Sequence, residues 1–303
     1  MAGASGLRPA AFTGTELAIS AFCPARDARN SPAAPPGART YGDFETLLAE
    51  ERELEFAAIS LPPGKSFSAA LLALERRLHV LCEPPFCLSM TEFETLRAAA
   101  EKAERIIFPV QPWEHAAPWL ALNLAITRGL AGELNYAEVQ ALTPDPAPGD
   151  DAASGLEWQI FSMLLGMVRR PPRAIEARLV PGSGTAAFHA HFGGADGFVH
   201  LSRGAHAPRL RAAVSGNRGR LEMDGNLLRL DIKDQPPETV ELRHELVPGA
   251  CRPEWLAAEL SDFKKEAEGL KARGSGLRNA RYCVKLLKNA CYSAGMKSAA
   301  IPL

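Results

Sequence analysis

One histidine and one pair of cysteines are candidate reactive groups in this sequence. His115, in the stretch QPWEHAAPW, follows the last strand predicted for the first half, at the mouth of the expected site, and an imidazole is a common general acid or base. A histidine packed at a domain junction is the alternative. Cys82 and Cys87 flank a Pro-Pro turn, but no second ligand pair accompanies them, so we predict reduced thiols.

Three histidines in the second half have a spacing that metal sites use. His189 and His191 alternate along one predicted strand and therefore share a face, and His200 lies on the neighbouring strand. Three imidazoles on one sheet suggest a metal site. No Ser-His-Asp or Cys-His arrangement has supporting local sequence.

The elements that position these residues in the first half alternate between strands and helices. The predicted strands are ELAISAFCP, EFAAISLPP, LHVLCE and RIIFPVQPW, and the predicted helices are YGDFETLLAEE, SFSAALLALERR and SMTEFETLRAAAEKAE. This alternation predicts a parallel sheet with helices on both faces, which binds ligands beyond the carboxyl ends of its strands. The candidate site is then formed by the loops after four residues: Pro24, Pro63, Glu83 and Val110.

The second half changes character near Leu134. After one strand, a loop rich in Pro, Gly and Asp and an apolar helix, several alternating segments are joined by turns such as MDGN. This pattern predicts an antiparallel sheet with one exposed face. Two helices, Pro253–Lys271 and Leu277–Ala294, are expected to close the chain.

The joint order and spacing of four stretches resemble the glucose–fructose oxidoreductase, inositol dehydrogenase and MocA family (Gfo/Idh/MocA). The stretches are YGDFETLLAEERELEFAAISLPP, ALERRLHVLCEPPFCLSMTEFETLRAAAEKA, VSGNRGRLEMDGNLLRL and the closing RPEWLAAELSDFKK with GLRNARYCVKLLKNACYS. The resemblance implies an α/β Rossmann-like dinucleotide-binding-type domain over residues 1–130, whose first strand is missing or truncated. An α+β domain with an open antiparallel sheet follows over residues 131–303.

The resemblance also implies a cofactor, NAD or NADP. The alternative that the protein binds no cofactor stays open. It assigns cofactor contacts to seven residues: Gly3, Gly6, Ser60, Pro62, Pro63, Glu83 and Pro85. Gly3 and Gly6 could be remnants of the glycine-rich turn or part of a flexible terminus. Pro24 replaces the acidic residue that usually accepts the ribose hydroxyls, and the arginines that follow it could suit a 2′-phosphate or simply be solvated.

Several departures from the family pattern concern the catalytic groups themselves. Pro84 replaces the lysine of the family's Glu-Lys-Pro turn, and a proline has no group that could transfer a proton. At the start of the long helix, Gln159 occupies the position of the family's catalytic histidine and Gly155 the position of an aspartate. Gln159 could hold a substrate hydroxyl, and Glu157 beside it could be a displaced base or only a helix-start glutamate.

The resemblance and the departures together predict an oxidoreductase-like protein that has lost the standard hydride-transfer chemistry. The alternatives are an active NAD(P)-dependent enzyme with a rearranged site, a protein that binds a sugar, polyol or nucleotide or supports an active paralogue, and a non-redox enzyme. The last would use His115, Glu157 or Glu83 as acid–base groups. In the family the second sheet often forms a subunit interface, so we predict an oligomer through this face and no metal.

Composition excludes several other classes. The 303 residues include 47% hydrophobic and 23% charged residues with a net charge of −1, so no basic field points to nucleic acid or to an anionic membrane surface. No apolar run approaches the roughly 20 residues that span a bilayer. The scattered cysteines and the absence of a signal-peptide pattern at the start predict a cytoplasmic protein.

Overall fold

The computed structural model describes residues 7, 12–13, 15–24, 33–144, 155–180, 184–274 and 276–303. Their contacts divide the chain into two compact units. The parallel-sheet unit comprises Ala4–Pro112 and Cys251–Arg278, and the mixed-sheet unit comprises Trp113–Ala250 and Asn279–Leu303. The predicted boundary between functional domains, at residue 130, stays a prediction.

The parallel-sheet unit contains five short strands and four helices. In chain order they are β1 (Ala21–Phe22), β2 (Arg39–Thr40), α1 (Phe44–Glu50), β3 (Phe56–Ile59), α2 (Pro63–Glu75), β4 (His79–Cys82), α3 (Met90–Ala103), β5 (Ile107–Pro109) and α6 (Pro253–Ala267). Strands β3, β4 and β5 form one parallel sheet in that order, and β1 pairs with β2 in a second parallel sheet. Strand–helix alternation thus produces the predicted Rossmann-like sheet, because parallel neighbours need a crossover helix.

No strand within the described residues joins the β1–β2 pair to the three-stranded sheet. Apolar side chains of this unit form one buried cluster. Leu7 and Phe12 are buried in it with residues of α6, and Phe12 stacks on Phe56 with ring centroids 6.3 Å apart. Phe263 of α6 packs edge-on against Phe56 and Phe108 at 5.7 and 5.8 Å. Aromatic rings from three parts of the chain thus pack together in the core of this unit.

Two of the helices begin at a polar residue typical of a cap: the sequence predicts Asp43 as the cap of α1 and Ser89 or Thr91 as that of α3. The carboxylate of Asp43 accepts a hydrogen bond from the Thr46 N–H at 2.7 Å and starts α1. Ser89, rather than Thr91, starts α3 as part of a capping box in which Glu92 bonds back to the cap. Both confirm that a short polar side chain fixes the first turn by satisfying a free N–H.

Helix α6 packs in the parallel-sheet unit although it lies 140 residues beyond β5 in the sequence. Its buried Glu259 accepts a hydrogen bond from the Gln111 N–H at 2.7 Å, and Phe263 faces the sheet strands. The helix ends at Ala267, earlier than the predicted Lys271, because the chain turns at Gly269 with a φ of +76°. A backbone at this angle favours glycine and stops the helix.

The mixed-sheet unit contains nine strands and three helices. They are α4 (Ala117–Thr127), β6 (Leu134–Thr143), α5 (Gly155–Val168), β7 (Ala174–Val180), β8 (Thr185–Phe192), β9 (Ala195–Arg203), β10 (Arg209–Gly216), β11 (Gly219–Asp224), β12 (Leu227–Ile232), β13 (Glu238–Glu241), α7 (Leu277–Gly295) and β14 (Ile301–Pro302). The strand order is β13-β12-β11-β10-β6-β9-β8-β7-β14.

The sheet differs from the predicted antiparallel one at a single pair. Strand β6 lies parallel to β9, while every other neighbouring pair in this sheet is antiparallel. The reason is the connection: α5 crosses over between β6 and β7, and the β7–β8–β9 hairpins then return the chain beside β6. A strand with one exposed face alternates apolar and polar residues whether its neighbour is parallel or antiparallel. The alternation could therefore not predict that β6 and β9 are parallel.

One face of the mixed sheet is apolar and covered by α5. Phe161 of α5 packs edge-on against Phe188 at 5.1 Å. A Cβ at Gly197 would lie 2.9 Å from the side chain of Leu164, so α5 approaches β9 this closely only because the strand has a glycine there. No helix of the described chain is long and apolar enough to cross a membrane.

Candidate functional site

The turn after β4 joins two of the predicted cofactor-binding residues. The Glu83 carboxylate accepts a hydrogen bond from the Ser60 hydroxyl at 2.6 Å and another from the Leu7 N–H at 2.8 Å. Ser60 follows β3 and Glu83 follows β4, so both lie at the carboxyl edge of neighbouring parallel strands, as predicted. The backbone N–H of Glu83 also bonds to Ile59, which ties the turn to β3.

The prolines of the predicted site shape the backbone at the same edge. Pro62 is the N-cap of α2 and Pro63 its first residue, where a missing N–H costs no helix hydrogen bond. Pro84 is half-buried and Pro85 is buried, and the peptide bond between them is cis. The position that would hold a lysine therefore presents a pyrrolidine ring with no donor.

The residues present fit the usual use of a dinucleotide only in part. Gly3 and Gly6 lie outside the described residues, as do the arginines at 26 and 29. Pro24 has no carboxylate to accept ribose hydroxyls, and Glu83 already accepts two hydrogen bonds. The described residues thus provide the carboxyl edge of a parallel sheet, where such cofactors bind in doubly wound folds.

His115 is placed at the start of the mixed-sheet unit. It ends a short 3-10 helix, Pro112–His115, and its side chain is half-buried. Trp113 packs edge-on against Trp119 of α4 at 5.1 Å, which holds the 3-10 helix against the next element. The ring of His115 is therefore carried by a well-packed turn, a suitable support for an acid–base group.

Glu157 lies in the first turn of α5 and is buried with a partner. Its Oε1 accepts a hydrogen bond from Arg203 Nη2 at 2.6 Å, and both side chains are shielded from solvent. A guanidinium at this distance stabilises the ionised carboxylate and directs it toward β9. This geometry favours a structural role at the helix start over that of a displaced base.

Gln159 and Ser162 are two buried polar side chains on the otherwise apolar helix α5. Gln159 Oε1 accepts a hydrogen bond from the Gly249 N–H at 3.0 Å. Within the described chain, Gln159 Nε2 and Ser162 Oγ have no hydrogen-bond partner. A buried donor without an acceptor costs about 1–3 kcal/mol, so any acceptor that reached either group would be bound favourably.

Ser162 was not found by the sequence argument, although a signal for it exists. In the run LEWQIFSMLLGMV, Ser162 is three residues after Gln159, a spacing that places both on the same side of a helix. Two polar residues at helical spacing within an apolar run are the pattern that could have identified it.

Burial shifts the titration of several other groups in the parallel-sheet unit. Burial, followed by the charges of Arg105 and Arg273, lowers the pKa of His79 to about 4. Burial raises the pKa of the Cys87 thiol to about 12 and that of the Cys82 thiol still further. Because the thiolate is the form that binds metal, these two cysteines are poor ligands, in agreement with the predicted reduced thiols.

Comparison with known proteins finds a family model that matches the first part of the chain. Residues 3–111 match the model of the GFO_IDH_MocA oxidoreductase family, described as having an NAD-binding Rossmann fold. The uncharacterized oxidoreductase YfiI of Bacillus subtilis is 25% identical over 134 residues, which are 42% of this chain and 34% of that protein. The uncharacterized oxidoreductase C26H5.09c of Schizosaccharomyces pombe is 30% identical over 102 residues, 34% of this chain and 27% of that protein. The chain thus matches only about a third of the length of these relatives.

Solved structures share the fold over most of the chain. The inositol dehydrogenase homolog from Azotobacter vinelandii, complexed with NADH and myo-inositol, has a TM-score of 0.73 at 19% identity, covering 87% of this chain and 83% of that one. The aldose-aldose oxidoreductase from Caulobacter crescentus, complexed with glycerol, has a TM-score of 0.79 at 15% identity, covering 99% and 96%.

The fold, a Rossmann-like parallel sheet and a larger mixed sheet with helices, is shared with these solved structures. Residues 3–111 match the oxidoreductase family with the NAD-binding Rossmann fold, and the predicted resemblance to Gfo/Idh/MocA proteins is confirmed.

Proposed function

We propose that this protein binds a sugar- or polyol-like ligand and does not perform the family's standard hydride transfer. The observation that carries the proposal is the pair of exchanged residues, Pro84 for the lysine and Gln159 for the histidine. Neither side chain can accept or donate a proton at the reacting hydroxyl, and general acid–base catalysis needs such a group within hydrogen-bond reach.

Ligand binding is supported by the donors that α5 retains. The Gly249 N–H fixes the amide of Gln159 through its oxygen, which leaves the NH₂ group as the free end. Ser162 adds a hydroxyl without a partner in the described residues. The hydroxyl oxygens of a polyol are acceptors for both, so the exchange of histidine for glutamine keeps hydroxyl binding while it removes proton transfer.

Weak dinucleotide binding is part of the same proposal. The ribose position holds Pro24, and the Glu83 carboxylate is engaged by Ser60 and the Leu7 N–H. A cofactor that approached this edge would have to compete for a carboxylate whose hydrogen bonds are already made. The family match and the sheet edge support residual affinity for NAD or NADP, which would supply or accept a hydride if it bound.

The second candidate is an active NAD(P)-dependent oxidoreductase with a rearranged site. It is favoured by His115, a half-buried imidazole at the end of the 3-10 helix whose Trp113 packs on Trp119. In that case His115 would be the general base, and turnover with NAD(P) should depend on it.

Assembly and location complete the proposal. We infer that copies of this chain, or this chain and an active paralogue, associate through the exposed face of the mixed sheet. All six cysteines are free thiols, which supports a reducing compartment such as the cytoplasm.

Calorimetric titration tests this proposal for the dinucleotide. We expect NADH and NADPH to bind to the untagged protein with dissociation constants weaker than micromolar. A micromolar or tighter constant for either would contradict the proposal and favour the rearranged enzyme.

Thermal unfolding tests the polyol. We expect myo-inositol or a related sugar at millimolar concentration to raise the unfolding midpoint. Gln159→Leu should lose this shift, and Gln235→Leu, which changes an exposed glutamine, should keep it. The absence of any shift across a panel of sugars and inositols, or a shift that Gln159→Leu preserves, would contradict ligand binding at α5.

A further inference from the structure

Three side chains from two neighbouring strands meet on the half-exposed face of the mixed sheet. His189 and His191 are two residues apart on β8, and Glu176 of β7 is the register partner of His189. Each of the three offers one ligand atom, and these atoms lie within 4.8 Å of one another. Strand pairing thus adds a carboxylate to the two histidines that share a face.

Asp196 of β9 lies behind the two histidines and contacts both. Its Oδ1 is 3.0 Å from Nε2 of His189 and 3.1 Å from Nδ1 of His191. The other ring nitrogen of His191, Nε2, is 3.0 Å from Glu176 Oε1. A carboxylate at one nitrogen of an imidazole fixes the tautomer and leaves the other nitrogen to act as a ligand.

Aromatic packing holds the rings in place. His189 stacks on Phe198 with ring centroids 4.2 Å apart and planes inclined by 11°, and the rings of His189 and His191 are 4.0 Å apart. Phe198 in turn stacks on Tyr136 at 5.5 Å. Ligands that are already ordered lose little rotamer freedom when an ion binds.

We propose that Glu176, His189 and His191 form a site for one divalent transition-metal ion, with Asp196 as the residue that orients the imidazoles. Two imidazoles and one carboxylate are a ligand set that Zn²⁺ uses in open sites, where water fills the fourth position. Ligand atoms around such an ion are about 3.3–3.5 Å apart, so the side chains would draw together by roughly an ångström.

The local charges suit a cation. Glu176 and Asp196 provide two carboxylates beside the imidazoles, enough to balance a divalent ion. In a single chain His191 and Glu176 are half-exposed, so the ion would reach the site from solvent before association covers this face. His200, on the same face, is outside the cluster, so the ligand set differs from the three histidines that sequence spacing suggests.

Metal titration of untagged, chelator-treated protein tests the site. We expect one equivalent of Zn²⁺ per chain at micromolar concentration, measured by calorimetry and by metal analysis after dialysis. With Co²⁺ we expect the visible absorption of a four-coordinate site. His189→Ala and His191→Ala should each weaken binding at least tenfold, and Asp196→Asn should weaken it about 10–100-fold.

His200→Ala is the matched control, since it removes an exposed imidazole from the same face without touching the cluster. It should bind Zn²⁺ like the wild type, and thermal unfolding without metal should show that all variants fold. The proposal is overturned if the wild type binds less than one equivalent at micromolar Zn²⁺. It is equally overturned if His191→Ala binds as tightly as the wild type, or if His200→Ala loses binding to the same degree.

Discussion

Glu83 and Pro84 are adjacent at the end of β4, and their side chains meet different conditions. The carboxylate accepts hydrogen bonds from the Ser60 hydroxyl and the Leu7 N–H, whereas the proline ring offers no polar group. On α5, Gln159 is likewise held on one side, by the Gly249 N–H. Glu83 and Gln159 are therefore each held by a hydrogen bond from a backbone N–H.

Restoring the lysine alone should not restore turnover. We predict that Pro84→Lys shows no NAD(P)-dependent oxidation of sugars or inositols, because the histidine position still holds Gln159. A positioned acid–base group contributes about 10²–10⁴-fold only when substrate and hydride acceptor are already in place. The double variant Pro84→Lys with Gln159→His should gain activity only if a dinucleotide binds. Absorbance at 340 nm measures this, and clear turnover by Pro84→Lys alone would contradict the account.

His79 should make stability depend on pH. Its pKa is lowered to about 4 in the folded protein, mainly by burial, from an ordinary value of 6.5. Between these values the unfolded chain binds the proton and the folded chain does not, so folding stability is full above about pH 6.5 and is lost as the pH falls toward 4. We expect a loss on the order of 1–2 kcal/mol, because the ring is only half-buried.

Urea denaturation at pH 7 and pH 5 measures this dependence. His79→Asn, whose amide oxygen could still accept the Ile106 N–H that Nδ1 now accepts at 3.3 Å, should show a smaller loss. His200→Asn, an exposed change, should keep the wild-type loss. Equal pH dependence in wild type and His79→Asn would show that another group is responsible.

The sequence predicted which residues of the candidate site lie at the sheet edge, but not the contacts that they make with distant segments. The sheet-edge position of Ser60 and Glu83 could be predicted because parallel strands end together. The Glu83–Leu7 bond and the orphan donor of Ser162 could not, since they depend on how distant segments meet. Glu176 joins the histidines only through strand register, which spacing within β8 does not contain.

At the scale of elements, helix α3 shows how local chemistry fixes a boundary. The Ser89 hydroxyl accepts the Glu92 N–H, and the Glu92 carboxylate accepts the Ser89 N–H. We predict that Ser89→Ala lowers the free energy of unfolding by about 1 kcal/mol. Thr91→Ala, an exposed change two residues later, should alter it by less than about 0.5 kcal/mol. Urea denaturation measures both losses. Equal losses in the two variants would show that Ser89 is not the cap at which α3 starts.

Periodicity predicted the elements far better than their partners. Most strands and helices follow the predicted segments because each buries one apolar side, whereas β2, α4 and β14 were not predicted. The sequence did not predict that α6 packs on the parallel sheet or that β6 pairs in parallel with β9. Both features depend on contacts between segments remote in sequence. The contacts of Phe12 and Phe263 with Phe56 are of the same kind.

At the scale of the whole molecule, the exposed face of the mixed sheet has both charge and apolar surface. Glu138 and Glu222 pair with Arg211 and Arg220 across β6, β10 and β11, and Phe198 is 40% exposed on β9. Arginine and exposed aromatic rings are enriched in protein interfaces. We therefore predict a dimer or larger assembly through this face.

Light scattering at tens of micromolar protein measures the assembly. Phe198→Glu should shift the protein toward monomer, because it places a charge among the contacts of the interface. Leu270→Glu, at an exposed site on the parallel-sheet unit, should leave the assembly unchanged. A monomeric wild type would contradict this prediction.

The most direct test of the central claim is hydride transfer itself. Wild-type protein at high micromolar concentration is mixed with NAD⁺ or NADP⁺ and each member of a panel of sugars and inositols, and reduced cofactor is followed at 340 nm, with His115→Ala in parallel. The account predicts no reduction above that of the substrate mixture without protein. Sustained reduction by the wild type that His115→Ala abolishes would contradict it and establish the rearranged oxidoreductase instead.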